Sequence, residues 1–310
     1  MQPSRILLTG AGGFVGRHLA PVLAAAFPQA TLLGWGGGGP DIDITDDQAV
    51  ADQVRNLRPD VCVHLAAISA TAAAQRDPRR AWRVNLQGTL HLADALLRHA
   101  PDCLLVFASS ADAYGRSFRT GTPLDESAPL APLSTYGATK AAADLALGAL
   151  AHDGLRVVRV RPFNHAGPGQ SPDFVLPAFA RQLARIEAGL QEPRIEVGSL
   201  DPRRDFLDVR DVCAGYAAII AAGKGLVPGS VFNLASGVSR RIGDVLDEMI
   251  ALASVKPEVE TGSHLLRAAD ITAATGDATA ARAAFGWAPA IPWSETLRDV
   301  MEDWRARVRQ

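Results

Sequence analysis

Apolar and polar residues alternate along the first half of the chain in a way that predicts strands and helices in turn. Short apolar runs predict strands at Arg5–Leu8, Thr31–Leu33, Val61–Leu65, Leu104–Ala108 and Val157–Arg161. Longer segments with apolar stripes predict helices at Gly16–Ala26, Gln48–Asn56, Pro78–His99 and Tyr136–His152. Such alternation is typical of βαβ units with right-handed crossovers. We therefore predict an α/β fold with a doubly wound parallel Rossmann sheet.

The pattern changes after Arg161, where prolines and glycines interrupt the alternation. Helical patterns follow over Phe174–Ala188, Ile242–Ala253 and Ser294–Val308, and Gly229–Leu234 predicts a strand that returns to the main sheet. We expect a Rossmann domain over residues 1–165 with a returning segment at about 205–235. A smaller, mixed α/β lobe is expected over residues 166–204 and 236–310.

Composition and charge narrow the class of protein. The chain has 310 residues, of which 48% are hydrophobic and 21% charged, as expected for a globular protein with a large core. Its net charge of −2 gives no field that would attract nucleic acid or an acidic membrane. It shows neither an apolar run of the ~20 residues that a membrane span needs nor a signal-peptide pattern, so we expect a cytoplasmic protein.

The three cysteines, Cys62, Cys103 and Cys213, are far apart in the sequence and lie in apolar patterns. They show neither the paired spacing of a metal site nor a nearby group of histidines. We therefore predict buried, reduced thiols and no metal.

A glycine-rich turn follows the first predicted strand and opens the first predicted helix. Its glycines are Gly10, Gly13 and Gly16. Glycines in this context let the backbone turn tightly and approach a pyrophosphate that the N–H groups of the helix hold. A tight turn that binds nothing is the alternative, and the flanking strand and helix make it the weaker one.

The choice between NAD and NADP is left open by the second strand. A carboxylate that binds the ribose is expected near its end, but the chain has Gly34–Gly36 there. Arg17 follows the last glycine of the turn, where an arginine either meets a 2′-phosphate or lies in solvent. On this residue the sequence favours NADP(H) over NAD(H).

Tyr136 and Lys140 form a Tyr-x-x-x-Lys pair on a predicted helix. Residues four apart lie on one face of a helix, so the phenol and the ammonium address one small volume. With only three tyrosines and three lysines in the chain, roughly 3 chains in 100 would show the pair by accident. The pair predicts a proton donor with a cation beside it.

These residues resemble the extended short-chain dehydrogenase/reductase (NAD-dependent epimerase/dehydratase) family over nearly the whole chain. The matching segments are Thr9–Gly16, Asp43–Ile44, Leu65–Ala67, Asn85–Gly88, Ser109–Ser110, Tyr136–Lys140 and Arg161–Asn164. The later segments resemble the members that reduce GDP-4-keto-6-deoxy-D-mannose. These segments are Asn164–Gln170, Pro172–Phe174, Arg204–Asp211, Arg267, Gly276–Asp277 and Gly286–Pro289.

The resemblance implies a role for each matching residue. By this resemblance, the catalytic residues of the chain would be Ser110, Tyr136 and Lys140. Its cofactor-binding residues would be Gly10, Gly13, Phe14, Val15, Gly16, Arg17, Asp43, Ile44, Leu65, Ala66, Ala67, Asn85, Tyr136, Lys140 and Pro162. Its substrate-binding residues would be Ser110, Asp112, Asn164, Arg204 and Arg267, the two arginines gripping a diphosphate.

The chemistry that the resemblance implies is the reduction of a keto-sugar. Tyr136 would be the general acid, and Lys140 would shift the pKa of the phenol toward the working range and bind the nicotinamide ribose. Ser110 would donate a hydrogen bond to the keto oxygen of the sugar, which is the oxygen that Tyr136 would protonate. We expect the substrate to be a GDP-linked 4-keto-6-deoxy-hexose and the product a GDP-6-deoxysugar such as GDP-rhamnose.

Three other functions remain open. A nucleotide-sugar 4,6-dehydratase needs a further acid and base after the Ser110 position, where this chain has Ala111 and Asp112. A 4-epimerase would use the same serine, tyrosine and lysine. A regulator that binds the cofactor without catalysis would need none of them. Alanine-rich faces on the predicted helices Pro78–His99 and Tyr136–His152 resemble the dimer contact of the family, so we also expect a homodimer.

Overall fold

The computed structural model of the protein describes residues 2–265 and 271–309. Its strands are β1 (Arg5–Thr9), β2 (Thr31–Trp35), β3 (Val61–His64), β4 (Leu104–Ala108), β5 (Val157–Pro162), β6 (Asn164–Ala166), β7 (Arg194–Val197), β8 (Arg203–Asp208), β9 (Val231–Leu234), β10 (Ser239–Arg241), β11 (Glu258–Thr261) and β12 (Ala273–Ala274). Its α-helices are α1 (Phe14–Ala26), α2 (Asp47–Leu57), α3 (Thr71–Arg76), α4 (Pro78–Trp82), α5 (Gly88–His99), α6 (Thr135–Leu150), α7 (Val175–Glu187), α8 (Val209–Ala222), α9 (Ile242–Leu252), α10 (Thr279–Phe285) and α11 (Trp293–Val308).

The main sheet is parallel throughout and has the strand order β2-β1-β3-β4-β5-β9 in the described part of the chain. The chain runs outward from β1 to β2, and then crosses back so that β3 begins the other half. At such a switch point the carboxyl ends of the strands leave a crevice in which ligands bind. The predicted α/β fold with a doubly wound parallel sheet is confirmed.

Alternate residues of the central strands enter two separate cores, one on each face of the sheet. Ile6 and Leu8 of β1 pack toward α1 and α8, whereas Leu7 between them packs toward α2 and α5. A strand that is covered on both faces is apolar at every position, which explains the short, uninterrupted apolar runs of the sequence. The predicted strands and helices of the first half lie within two residues of the observed ones.

One predicted helix is wrong in detail. The segment predicted as a continuous helix over Pro78–His99 consists of α4, a wider π-helical turn over Arg83–Gln87, and α5. π-Helical turns occur mostly as single turns within α-helices, and they are frequent at functional sites. Here the turn carries Asn85, which is fully buried and hydrogen-bonded to two other segments.

The second lobe is built around β8, which pairs with β6, β10 and β12. Helices α7, α9 and α11 enclose its own apolar core. At the end of β8, the side chain of Asp208 accepts a hydrogen bond from the N–H of Arg210 and caps α8. Helix α8 packs against α1, and β9 then joins the main sheet next to β5, as predicted. The chain therefore crosses between the two sheets at Asp208–Val209.

Cys62, Cys103 and Cys213 are buried free thiols, as predicted. Burial raises the pKa of the Cys213 thiol to about 12. Residues 2–265 and 271–309 contain no group of His, Cys, Asp and Glu side chains that could hold a metal ion. Among the helices that the structure describes, none combines the length and the apolar character needed to span a bilayer.

Candidate active site

A cleft of about 320 Å³ lies beyond the carboxyl ends of β1, β3, β4 and β5. The predicted site residues that line it are Gly10, Gly13, Phe14, Val15, Gly16, Leu65, Ala66, Ala67, Ser110, Asp112, Tyr136, Lys140, Pro162 and Asn164. We call the residues contributed by Gly10–Gly16, Leu65–Ala67, Ser110, Tyr136 and Lys140 the sheet-side wall. The lobe-side wall comprises Asn164, His165, Gln170 and Phe174.

The glycine-rich turn forms one end of the sheet-side wall. Gly10 has a φ of +71°, and a Cβ at this position would lie 2.8 Å from the backbone nitrogen of Ala66, so a side chain is excluded twice over. Helix α1 begins directly afterwards, and Gly13 at its N-cap offers no side chain to cap it. The first N–H groups of α1 therefore remain available at the cleft. This arrangement fits the pyrophosphate of a dinucleotide.

Ser110 and Tyr136 meet at the centre of the cleft. Ser110 caps a short 3₁₀ turn, its Oγ accepting from the N–H of Asp112 at 3.1 Å, and its side chain lies close enough to the Tyr136 phenol to lower the pKa of that phenol. Ser134 caps α6 by accepting from the N–H of Gly137. A Cβ on Gly137 would lie 2.6 Å from the carbonyl oxygen of Asp112. Because this residue is glycine, α6 approaches closely enough to bring the two hydroxyls together.

Lys140 lies on α6 one turn after Tyr136 and is 3% exposed. Its Nζ donates to the carbonyl oxygen of Ala108 at 2.7 Å and lies 5.0 Å from the centre of the Phe107 ring. Burial lowers the pKa of Lys140 to about 8, and the Asp144 carboxylate opposes this shift. The ammonium is thus held at the carboxyl end of β4 by the backbone.

Lys140 is not among the groups that shift the pKa of the Tyr136 phenol in this structure. Burial raises the pKa of Tyr136, the carboxylate of Asp112 raises it further, and the hydrogen bond from Ser110 lowers it. Ser110, rather than Lys140, is thus the neighbour that favours the phenolate in this structure. The phenol is therefore fully protonated at neutral pH.

Asn85 does not itself line the cleft. Its Oδ1 accepts from the N–H of Ile68 at 2.8 Å, and its Nδ2 donates to Thr139 Oγ1 at 3.0 Å. Thr139 in turn donates to the carbonyl oxygen of Tyr136. Asn85 therefore ties the segment after β3 to the helix that carries the phenol and the ammonium.

A buried chain of hydrogen bonds supports the same segment from below. His64 contacts Thr9 Oγ1 through Nδ1 at 2.7 Å and Thr89 Oγ1 through Nε2 at 2.9 Å. Thr9 Oγ1 also accepts from the N–H of Ala66, and Thr89 donates to the carbonyl oxygen of Asn85. Burial lowers the pKa of His64 to about 3, so the imidazole is neutral.

Asp43 and Ile44 lie outside the cleft. The Asp43 carboxylate accepts from the N–H and the hydroxyl of Thr45, and these bonds lower its pKa. Ile44 is buried. A second depression, of about 480 Å³, adjoins Asp43 and includes three arginines. These are Arg79, Arg80 and Arg83.

Arg17 also lies outside the cleft. Its guanidinium donates to the carbonyl oxygen of Gly169 at 3.3 Å, which connects α1 to the second lobe. The structure therefore gives Arg17 a contact other than the 2′-phosphate expected from the sequence.

The predicted substrate residues are divided between the cleft and its rim. Asn164 and Asp112 line the cleft. Burial raises the pKa of the Asp112 carboxyl, and the guanidinium of Arg204 on β8 partly opposes this shift. Arg204 also donates to the carbonyl oxygen of Ile271 at 3.3 Å. Arg267 lies outside the described residues.

Several residues of the cleft were not predicted. They are Ser69, Thr71, Ala108, Ser109, Ala111, Phe163, His165, Gln170, Phe174 and Tyr216. His165 stacks on the ring of Phe14 at a centroid distance of 6.2 Å. The side-chain oxygens of Ser109 and Gln170 are buried without a partner among the described residues. The sequence signal for these two residues was their position. Ser109 directly precedes Ser110, and Gln170 is the last residue of the motif Asn164–Gln170.

The chain matches the model of the NAD dependent epimerase/dehydratase family over residues 6–235. It is 36% identical over 307 residues to a GDP-6-deoxy-D-mannose reductase of Pseudomonas aeruginosa, covering 99% of both chains. It is 33% identical over 258 residues to a dTDP-glucose 4,6-dehydratase of an Actinoplanes species, covering 75% of this chain and 77% of that one.

Among solved structures, that of RMD from Pseudomonas aeruginosa complexed with NADPH has a TM-score of 0.89 and 35% identity, covering 98% of this chain and 99% of that one. A UDP-glucose 4-epimerase from Thermus thermophilus in complex with NAD has a TM-score of 0.83 and 26% identity, covering 97% and 99%. These similarities confirm the resemblance found in the sequence. The chain belongs to the NAD dependent epimerase/dehydratase family and is an NAD(P)-dependent oxidoreductase of its nucleotide-sugar branch.

Proposed function

We propose that this protein reduces the 4-keto group of a GDP-linked 4-keto-6-deoxy-hexose, converting GDP-4-keto-6-deoxy-D-mannose to GDP-D-rhamnose. The observation that carries this proposal is the 36% identity to a GDP-6-deoxy-D-mannose reductase over 99% of both chains. The Ser110–Tyr136 hydroxyl pair in the cleft supports it, since a ketone reduction needs a proton donor at the developing alkoxide.

The residues of the cleft divide the work of such a reduction. A bound reduced nicotinamide cofactor supplies the hydride. Tyr136 holds its proton at neutral pH, because burial raises its pKa, and gives that proton to the sugar oxygen as negative charge develops there. Ser110 donates a hydrogen bond to the same oxygen. Both interactions strengthen toward the transition state, which is the condition for catalysis.

Lys140 supplies a positive charge beside this pair and stands ready for the ribose hydroxyls of the cofactor. Its present partner is a single backbone oxygen, that of Ala108. An ammonium has three donors, so two remain for a ligand. The burial of the charge next to Phe107 makes its field stronger than in water.

The second lobe would hold the rest of the substrate. We assign Arg204 and Arg267 to the diphosphate, because guanidinium groups bind phosphate oxygens with two donors at once. Asp112 and Asn164 would contact the sugar from opposite sides of the cleft. In this division of labour, residues 1–165 with the returning segment bind the cofactor, and the remaining lobe binds the substrate.

The proposed cofactor is NADPH in preference to NADH. Support comes from the similarity to RMD, whose structure was solved with NADPH. Asp43 and Ile44 would flank the adenine, next to the arginines of the second depression. Asn85 would act on the cofactor indirectly, through the segment after β3.

A 4,6-dehydratase is the second candidate, and Asp112 is the observation in its favour. This carboxyl lines the cleft, lies near Tyr136 and has a raised pKa, as an acid for elimination requires. Against it, the neighbouring position is Ala111, which supplies no second acid or base. A reductase consumes the reduced cofactor, whereas a dehydratase returns it, so the two are separable by stoichiometry.

The decisive experiment uses purified protein with GDP-4-keto-6-deoxy-D-mannose and either NADPH or NADH. We expect loss of the reduced-nicotinamide absorbance, one equivalent per sugar, and faster with NADPH. GDP-mannose serves as the control substrate, because only a dehydratase would convert it. Absence of oxidation with both cofactors would end the proposal.

We also propose a cytoplasmic homodimer formed through α5 and α6. Leu145 on α6, between Asp144 and Ala146, is 61% exposed. Trp82 at the end of α4 is also exposed. Light scattering should give the mass of two chains, and Leu145→Glu should shift it toward one. An unchanged mass in this variant would place the contact elsewhere.

A further inference from the structure

Oε1 of Gln170, a side-chain oxygen in the cleft, has no hydrogen-bond partner in the part of the chain that the structure describes. Gln170 is 5% exposed and belongs to the lobe-side wall. A buried polar atom without a partner destabilises the folded state, and folded proteins rarely retain one. An unpaired oxygen that faces a ligand cleft is therefore a candidate contact for a ligand.

The orientation of the Gln170 amide follows from its other contact. Its Nε2 donates to the carbonyl oxygen of His165 at 3.0 Å. A carbonyl oxygen can only accept, so the nitrogen must lie on that side, and Oε1 must point the other way. Next to it, Nδ1 of His165 donates to the carbonyl oxygen of Phe163 at 2.9 Å. In the neutral ring Nε2 of His165 is then an acceptor, so a donor from a ligand would suit both of these side chains.

The loop that carries Gln170 is fixed from the second lobe. The N–H of Gly169 donates to the Asp303 carboxylate at 3.0 Å, and Arg307 donates to the carbonyl oxygen of Gln170 at 3.3 Å. Arg307 and Asp303 form an ion pair on α11. The free oxygen is thus held in place before any ligand arrives, as a preorganised contact requires.

The same loop is fixed from the cofactor side. Arg17 donates to the carbonyl oxygen of Gly169, and His18 contacts the carbonyl oxygen of Pro168 at 2.7 Å. Both residues lie in the first turns of α1, whose N-terminus fits the pyrophosphate. His165 also stacks on Phe14 of α1. Gln170 therefore lies in the part of the lobe-side wall that is attached to α1.

Three kinds of group would reach this wall if the proposed function holds. Phosphate oxygens are excluded, because they are acceptors and would repel Oε1. The donors that remain are the hydroxyls of the sugar and the carboxamide N–H of the nicotinamide. The attachment of the loop to α1 favours the second. We propose that Gln170 Oε1 accepts a hydrogen bond from the nicotinamide carboxamide and so fixes the rotation of the ring above Tyr136.

The test begins with the unmodified protein and measures binding without any sugar. The reduced cofactor is compared with its 3-acetylpyridine analogue, in which a methyl group replaces the carboxamide nitrogen. Kd values come from cofactor fluorescence or calorimetry. We expect the analogue to bind about tenfold more weakly, the effect of one lost hydrogen bond to a buried acceptor. Equal affinity would overturn the proposal without the need for a variant.

The variant Gln170→Met then removes the acceptor and keeps the volume of the side chain. We expect its Kd for the natural cofactor to rise about tenfold, and its Kd for the analogue to stay near the original value. Gln182→Met is the matched control, because both amide atoms of Gln182 are bonded to the backbone of Glu196, away from the cleft. This control should bind both cofactors like the unmodified protein.

The outcomes separate this inference from the proposed function. A preference for the carboxamide that persists in Gln170→Met overturns the role of Gln170. A variant with unchanged cofactor Kd and a raised KM for the keto-sugar also overturns it and assigns Oε1 to a sugar hydroxyl. Failure of the protein to reduce any GDP-keto-sugar retires the proposed substrate, yet leaves the binding ratio measurable.

Discussion

The two walls of the cleft are held in different ways. The sheet-side wall is positioned by contacts within the Rossmann part of the chain: Lys140 by the carbonyl of Ala108, and Tyr136 by the chain of contacts that ends at Asn85. The lobe-side wall is a loop that α1 and α11 hold from outside, and Oε1 of Gln170 has no hydrogen-bond partner among the described residues. From this comparison we expect the sheet-side wall to supply the reacting groups and the lobe-side wall to contact the ligand.

The largest effect should come from Tyr136→Phe, which removes the proposed acid from the sheet-side wall. We expect turnover to fall ~100-fold or more, the scale of one lost general acid, with little change in cofactor Kd. Steady-state kinetics and a cofactor titration measure the two quantities. Tyr114→Phe is the matched control, since its hydroxyl contacts Asn233 and Arg161 rather than the cleft. Near-normal turnover in Tyr136→Phe would reassign the acid.

The next effect concerns the charge of Lys140. Its pKa is about 8, so the ammonium is present below that pH and is lost above it. We expect kcat/KM to fall roughly tenfold per pH unit above about pH 8, because the phenol stays protonated there while its neighbouring charge disappears. The profile is measured from about pH 6 to about pH 10. Lys256→Met, at an exposed lysine, should leave it unchanged. A profile that is flat to pH 10 would contradict this role.

A smaller effect is expected at Arg204, beside the lobe-side wall. Arg204→Ala should raise the KM for the GDP-sugar about tenfold, as expected for one lost contact between a guanidinium and a phosphate, and leave the cofactor Kd unchanged. Arg203→Ala is the control, because Arg203 is exposed and donates to the carbonyl oxygen of Ser239. A change in cofactor Kd instead would mean that Arg204 acts on the cofactor and not on the diphosphate of the sugar substrate.

The smallest effect is expected at Arg17. Because its guanidinium donates to Gly169 and does not line the cleft, Arg17→Ala should change the ratio of NADPH to NADH affinity less than about twofold. The ratio is measured by titration with each cofactor. A loss of preference of tenfold or more would restore Arg17 as the 2′-phosphate residue that the sequence indicated.

The sequence predicted the sheet-side wall far better than the lobe-side wall. The strand Leu104–Ala108 is apolar at every position and was predicted at its observed bounds. Helix α8, by contrast, has no charged residue after Arg210 and Asp211 in its first turn, so its remaining residues show no polar face, and it was not predicted. The short strands β6, β8 and β12 pair residues far apart in the chain, a relation that no local pattern shows.

The site follows the same rule. Gly10, Tyr136 and Lys140 could be predicted because each belongs to a local motif with its own geometry, whereas Ser110 was predicted from the resemblance to the family. The free oxygen of Gln170 could not, because its lack of a partner depends on how α1 and α11 enclose the loop. The π-helical turn at Arg83–Gln87 was likewise hidden, since its extra residue does not disturb the apolar pattern of the helix.

Gly137 is a position at which a small substitution would disturb the candidate active site. A Cβ there would meet the carbonyl oxygen of Asp112 at 2.6 Å, so even alanine forces α6 and the turn at Asp112 to shift relative to each other, as in a tilt of α6. Such a tilt would separate the phenol of Tyr136 from the hydroxyl of Ser110 while leaving both chemically intact. The distance between the two hydroxyls therefore depends on residue 137, which follows Tyr136 and has a hydrogen atom where alanine has a methyl group.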